Sequence, residues 1–318
     1  MTHTIGSNLD DGAIDGRLER LAAALEARAV VGFDGAEVSI GCLNAIRNGQ
    51  VIPEEVSRGR EVLARCALRI TVHGPCGLNL TRDPEHAARI LGACLEVSSG
   101  LGAEVYVYHS GQIALHDAFA GLKPPPGEAE LRDMWRRETE ALLPFAERAR
   151  ALGLVLVIEN RDPHLWEIAA LERWGHSGAA LPRYHQGMRL DLLARQAAEI
   201  DSPAVGICLD VGHAFLAAQY WPGGDYLAGV RAAAPWIRHV HLHDNYGRLD
   251  DVSDALSDRL VFGEADNHLP PGWGAIPLRE TVAILEAAAY AGWYLVEIRP
   301  RYDDYLAEAL AAARGIGG

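Results

Sequence analysis

The chain has 318 residues, 49% hydrophobic and 23% charged, a size and balance that suit one large α/β barrel and exclude a minimal or disordered domain. Its net charge of −14, with 28 Arg and a single Lys, disfavours a broad nucleic-acid surface, though not a local basic groove. That lysine, Lys123, lies in the proline-rich loop "GLKPPPG" and is poorly placed for Schiff-base chemistry.

The opening "MTHTIGSNLDDG" has neither the basic start nor the apolar core of a signal peptide, and no apolar run approaches the roughly 20 residues that span a bilayer. Five cysteines without a CxxC pair read as reduced thiols, so the expected location is the cytoplasm. Strands are expected at 4–8, 35–40, 69–74, 104–109, 154–159, 205–210, 238–243 and 294–298. Amphipathic stretches such as "DGRLERLAAALEARA" and "ELRDMWRRETEALLPFAERARALG" lie between them, the second ending on Gly153 as a C-cap. Eight strand–helix alternations predict an all-parallel sheet closed into a single (β/α)8 TIM barrel over residues 1–318, without linker or repeat. An open doubly wound sheet is the alternative, but no GxGxxG follows the first strand and there is no P-loop.

Two connections exceed what a barrel needs. Residues 160–185, after the fifth strand, hold Trp166, Trp174, Tyr184 and His185; residues 244–276, after the seventh, hold "DDVSDALSD" and "ADNHLPPGWG". Such loops fall on the catalytic face, and the aromatics suggest a lid or substrate wall; decorative insertion is the other reading. The run "DDVSDALSD" reads as a solvated helical turn.

The strand ends carry acids and imidazoles. His73 closes the third strand, His109 the fourth, Glu159 the fifth and Asp210 the sixth; His241 and Glu297 lie near the ends of the seventh and eighth. His213 follows Asp210 by three in "LDVGHAF", and Asp266 and His268 come from "ADNHLPPGWG". These are metal-ligand types at the end of the barrel where active sites form, and a divalent cation would compensate carboxylates that are costly to bury alone. In "IRHVHLHDNYG", His239, His241 and His243 share one strand face, opposite Val240 and Leu242. His241 reads as a ligand, His243 as a supporting or substrate-binding group, and His239 as a hydrogen-bonded interior residue. Arg299 shares a face with Glu297 and suits either an anionic substrate group or a rim salt bridge. Glu37 and Ser39 face the pocket or fill the barrel; Asn160 and Arg161 bind substrate hydroxyls or brace a turn; Cys208 packs in the core.

The segments "TVHGPCGLNL", "VYHSGQ", "LVIENRD", "GICLDVGHAF", "HVHLHDN", "DNHLPPGWGAI" and "LVEIRPR" resemble the xylose isomerase-like TIM-barrel superfamily. That superfamily unites sugar isomerases and epimerases with the endonuclease IV type of DNA-repair enzyme. The resemblance implies one divalent metal (Mn²⁺, Co²⁺, Mg²⁺ or Zn²⁺) held by Glu159, Asp210, His241 and Glu297. It also implies that Glu159 and Glu297 move protons and that His213 contacts substrate, with His73, His109, Arg299 and His243 as further substrate-binding candidates. The nuclease branch would use three zinc ions, adding His73, His109, His213, Asp266 and His268 as ligands. Against it stand "DVGH" where the nuclease resembles "DTCH", no lysine after "HLHDN", and Cys76 where the nuclease carries a DNA-inserting tyrosine. The expected function is metal-dependent isomerisation or epimerisation of a sugar, polyol or related hydroxy-carbonyl compound through an enediolate. Alternatives are a trinuclear-zinc phosphoesterase, a dehydratase or lyase on the same site, and a barrel that binds without turnover, whose mark would be a broken ligand quartet. The expected partner is a small-molecule substrate, not nucleic acid or a membrane, and the chain is compatible with a homo-oligomer.

Overall fold

Runs of β-branched and aromatic residues form eight strands in the computed structural model, which describes residues 3–110, 114–250 and 256–316. They are β1 (Thr4–Leu9), β2 (Gly35–Ser39), β3 (Arg69–His73), β4 (Val105–His109), β5 (Val155–Glu159), β6 (Val205–Asp210), β7 (Ile237–Leu242) and β8 (Trp293–Val296). Each pairs in parallel with its sequence neighbours, and β8 closes on β1. The helices α1 (Leu18–Val31), α2 (Pro53–Leu63), α3 (Pro84–Leu101), α4 (Glu128–Leu152), α5 (Leu190–Ile200), α6 (Tyr226–Ala233), α7 (Leu278–Ala287) and α8 (Leu306–Ile316) accompany them. This is the predicted (β/α)8 barrel. Among the described residues no helix is long and apolar enough to cross a membrane.

Alternation along the strands sorts side chains into two layers. Tyr106, Tyr108, Leu156, Ile158, Ile207, Leu209, Val240 and Leu242 join the main core under the helices, while Val105, Val107, Val157 and Cys208 form a separate small cluster. Helix ends follow local chemistry. Asp83 caps α3 by accepting from the His86 N–H with Pro84 in the first turn, and α4 stops at Gly153 in the left-handed conformation, φ 73°.

Two expectations change. The eighth strand ends at Val296 instead of 298, because the Asn8 amide brackets Ile298, donating to its carbonyl and accepting from its N–H at 3.2 Å each. The connection after β5 folds into a helix Leu165–Arg173 and short turns. Its aromatics do not form the expected substrate wall. Tyr184 packs with Leu171, Leu181 and Met188 in a satellite core against which Trp166 lies, and the Trp174 indole donates to the Ala118 carbonyl. Buried apolar area holds this insertion down, which the aromatic count alone does not distinguish from a lid. Within "DDVSDALSD", residues 251–255 lie outside the described residues.

Candidate metal centre

The third and fifth residues of β7, His239 and His241, lie on one face of the strand and are completely buried. Glu37 of β2, only 2% exposed, meets both: Oε2 lies 3.1 Å from His239 Nε2, and Oε1 lies 3.1 Å from His241 Nε2. The Thr71 hydroxyl of β3 donates to Glu37 Oε2 at 2.9 Å. With its Nε2 turned to Glu37, His241 presents Nδ1 to the acids of three other strands. Nδ1 lies 3.1 Å from Glu159 Oε1, 3.1 Å from Glu297 Oε2 and 3.7 Å from Asp210 Oδ2. The four residues expected to hold a metal therefore converge.

One ring proton cannot satisfy three carboxylates, and Glu297 Oε2 is buried without a hydrogen bond among the described residues. Burial by itself raises the pKa of Glu159 and Asp210; the charge of His241 and the hydrogen bonds of His241 and His73 on the first, and the charges of His213 and His243 on the second, outweigh it and hold both well below the usual carboxylate range. Three ionised carboxylates, an oriented imidazole and an orphaned oxygen fit a divalent cation with mixed oxygen and nitrogen ligation. Glu37 behind the imidazole is the kind of partner that fixes a ligating ring.

The outer histidines gather around this centre. His73 Nε2 sits 3.1 Å from Glu159 Oε2. Burial opposes its charge, but that carboxylate raises its pKa to about 10. His109 is pushed down to about 3, chiefly by burial, and its Nδ1 has no hydrogen-bond partner among the described residues. Asp210 caps the helix Val211–Ala218, accepting from the His213 N–H at 2.7 Å, while His213 Nδ1 meets the Asn160 carbonyl at 2.8 Å. This leaves His213 Nε2 3.4 Å from Asp266 Oδ2, which is 2.5 Å from His268 Nε2. His243 Nε2 lies 3.0 Å from both Asp210 oxygens, and its ring stacks on His268 at 4.2 Å. Three groups (His109, Glu159, His213; His213, Asp266, His268; His243, His268, Glu297) each bring their donor atoms within 4.8 Å of one another.

A cavity of about 510 Å³ opens onto this cluster, and six of the expected site residues line it: His73, His109, Glu159, His213, His268 and Glu297. Asp210, His241 and His243 are buried behind them. Arg299 does not accompany Glu297. Its guanidinium donates to the Asp266 carbonyl at 2.7 Å and lines a separate cavity of about 160 Å³, because strand alternation stops at Val296. Asn160 and Arg161 brace neighbouring backbone: the Asn160 amide donates to the Asp210 carbonyl at 3.0 Å, and Arg161 donates to the Ser110 carbonyl.

Other residues of the site give little or no signal in the sequence. Asn8, near the end of β1, and Asp10, Asp11 and Cys76, just beyond strand ends, line the cavity. Asp244, next to His243, ties the loop after β7 by accepting the N–H groups of Asn245, Gly272 and Ile276. Gly212 of "DVGH" lets that loop approach the helix start, since a Cβ there would strike the His243 ring and the Asp266 carboxylate.

Fold and cluster define a parallel (β/α)8 barrel with a carboxylate–imidazole centre at the C-terminal ends of its strands. Residues 25–316 match the family described as xylose isomerase-like TIM barrel, and the chain belongs to that family. An uncharacterized protein of Mycobacterium tuberculosis is 24% identical over 311 residues, covering 93% of this chain and 92% of its own. The inosose dehydratase of Geobacillus thermodenitrificans is 30% identical over 102 residues, 31% of this chain and 32% of that protein. Among solved structures, a D-tagatose 3-epimerase-like protein shares the fold at a TM-score of 0.66 and 21% identity, covering 99% of this chain and 98% of its own. The 3-keto-D-glucoside 4-epimerase of E. coli does so at 0.64 and 17%, covering 99% and 100%.

Proposed function

We propose that the protein is a divalent-metal-dependent isomerase or epimerase acting on a sugar, polyol or related hydroxy-carbonyl compound. The observation that carries this reading is a division within the quartet: Glu159 and Glu297 reach the cavity, whereas Asp210 and His241 are buried behind them. Two of the four are placed to meet a substrate as well as a cation, and both are carboxylates able to take a proton. A cation bound there (Mn²⁺, Co²⁺, Mg²⁺ or Zn²⁺) would polarise carbonyl and hydroxyl oxygens and acidify the adjacent C–H. Glu297 Oε2, buried beside His241 Nδ1, would meet the cation, which leaves the other Glu297 carboxylate oxygen to accept that proton. Glu159, whose Oε2 lies 3.1 Å from His73 Nε2, would pass a proton drawn from that imidazole to the enediolate from the other side of β6 and β7, while Glu297 keeps the one it removed and both reset by exchange with solvent. His213, fixed through Nδ1, offers Nε2 as a contact for substrate oxygen. The epimerases that share the fold, and the short inosose dehydratase likeness, support hydroxy-carbonyl chemistry. Dehydration would begin with the same proton removal.

The test is turnover in D₂O across ketoses, inososes and their phosphates. Deuterium should appear at the α-carbon of the product; unlabelled product would contradict the proton-transfer route. Glu159→Gln and Glu297→Gln should each lower turnover by roughly 10²–10⁴-fold, the range of lost general-base catalysis. They should retain metal more often than Asp210→Ala or His241→Ala.

One observation favours a second reading. The complete set His73, His109, His213, Asp266 and His268 stands around the quartet, as a trinuclear-zinc phosphoesterase would need. Metal count separates the two.

A further inference from the structure

We infer that the substrate is uncharged: a polyhydroxy ketone whose carbonyl end faces Glu159 and Glu297 and whose far end, deoxy or O-substituted, rests on an apolar wall. The orientation rests on the isomerase or epimerase reading; the exclusion of anionic groups rests on the cavity wall alone.

Among the described residues no Arg or Lys lines the cavity; its acids are Asp10, Asp11, Glu37 and the two catalytic glutamates, and its imidazoles, His73, His109, His213 and His268, gather at the end held by Glu159 and Glu297. The nearby guanidinium groups are engaged elsewhere, Arg161 on the Ser110 carbonyl and Arg299 on the Asp266 carbonyl. A phosphate could instead use backbone N–H groups at a helix start or turn. Three of those around this site are taken internally. The Ala13 N–H donates to Asp10 Oδ1 at 2.6 Å, the Gly41 N–H to Ser39 Oγ at 3.2 Å, and the His213 N–H to Asp210 Oδ1 at 2.7 Å.

The rest of the wall is apolar. Leu9 at the end of β1 and Ile40, Leu43 and Ile46 beyond β2 line the cavity. Leu9, Ile40 and Leu43 are buried members of the main core, and Ile46 packs against it, so the wall is held in place. An anionic group set there would lose water with nothing to replace it. Carboxylates only accept hydrogen bonds, so Asp10 and Asp11 suit hydroxyl donors along the middle of a neutral polyol.

The experiment is calorimetric binding to metal-loaded wild-type protein of a panel of ketohexoses, each with its 6-deoxy analogue and its 6-phosphate, alongside deuterium exchange in D₂O. The deoxy compound should bind at least as tightly as its parent, and the phosphate at least about 100-fold more weakly. Ile46→Arg, which places a cation on the wall, should narrow that gap at least about tenfold. A phosphate that binds as tightly as its parent, or no binding by any unphosphorylated ketose, overturns the inference. The expected binding order without exchange defeats the reaction reading and leaves the inference standing; tight binding and exchange of the phosphates do the reverse.

Discussion

His241 owes its function to what stands on each side of its ring. Glu37 pairs with the ring at Nε2, 3.1 Å away, on the side opposite the three carboxylates that Nδ1 faces, and Thr71 and His239 hydrogen-bond Glu37 in turn. In the proposed metal-dependent reading, Glu37 is a positioning residue for the ligand His241. Glu37→Gln should lower the affinity of the chelator-stripped protein for a divalent ion about 10–100-fold, as loss of a ligand's supporting carboxylate does. Glu37→Asp should recover part of that loss. Titration with the metal alone, with circular dichroism to confirm the fold, checks this; unchanged affinity in Glu37→Gln would contradict it. The gathering of acids and imidazoles was legible in the sequence because residues at parallel strand ends must meet in a closed barrel, whereas the choice of Glu159, Asp210, His241 and Glu297 among them came from the family resemblance. The role of Glu37 was not legible, because it depends on contact across the barrel with residues about 200 positions away. Local alternation leaves such a residue equally suited to filling the interior.

The insertion after β5 shows where element-level reading stops. Its position on the catalytic side follows from its place after a strand, but its aromatics close a small core of their own instead of lining the cavity. Glu167 organises it, accepting from the His164 N–H at 3.1 Å and meeting His185 Nδ1 at 3.0 Å. Burial alone would raise the Glu167 pKa; the His185 and His164 contacts bring it below the ordinary value. A carboxyl whose pKa is lower folded than unfolded adds stability that is complete above the unfolded pKa, about 4.3, and is lost as pH falls through the folded one. Hydrogen exchange of residues 165–189, corrected for intrinsic rates, should therefore be insensitive to this group from pH 7 to 5. It should accelerate relative to the barrel strands below about pH 4.3. Glu167→Gln should loosen the same segment at neutral pH. Equal protection in variant and wild type would show that the pair does not hold the insertion. The end of β8 escaped sequence reading for a related reason: Asn8, 290 residues away, replaces ladder bonds with a side-chain bracket. Arg299 consequently turns from the cavity its spacing suggested.

At the scale of the whole molecule, closing eight parallel strands concentrates their terminal polar residues in one mouth. Packed helices and the two long loops surround that mouth. This level was the most legible, because eight repeats of one pattern constrain topology more tightly than any single boundary. What the pattern leaves open is how many ions the crowded mouth holds, since both the quartet and the outer histidines offer donors. Elemental analysis of gently purified, full-length protein decides it. The account predicts one tightly held divalent ion per chain, removed by chelator and not retained in Asp210→Ala or His241→Ala. Three zinc ions per chain, or no metal together with activity that survives chelation, would contradict it.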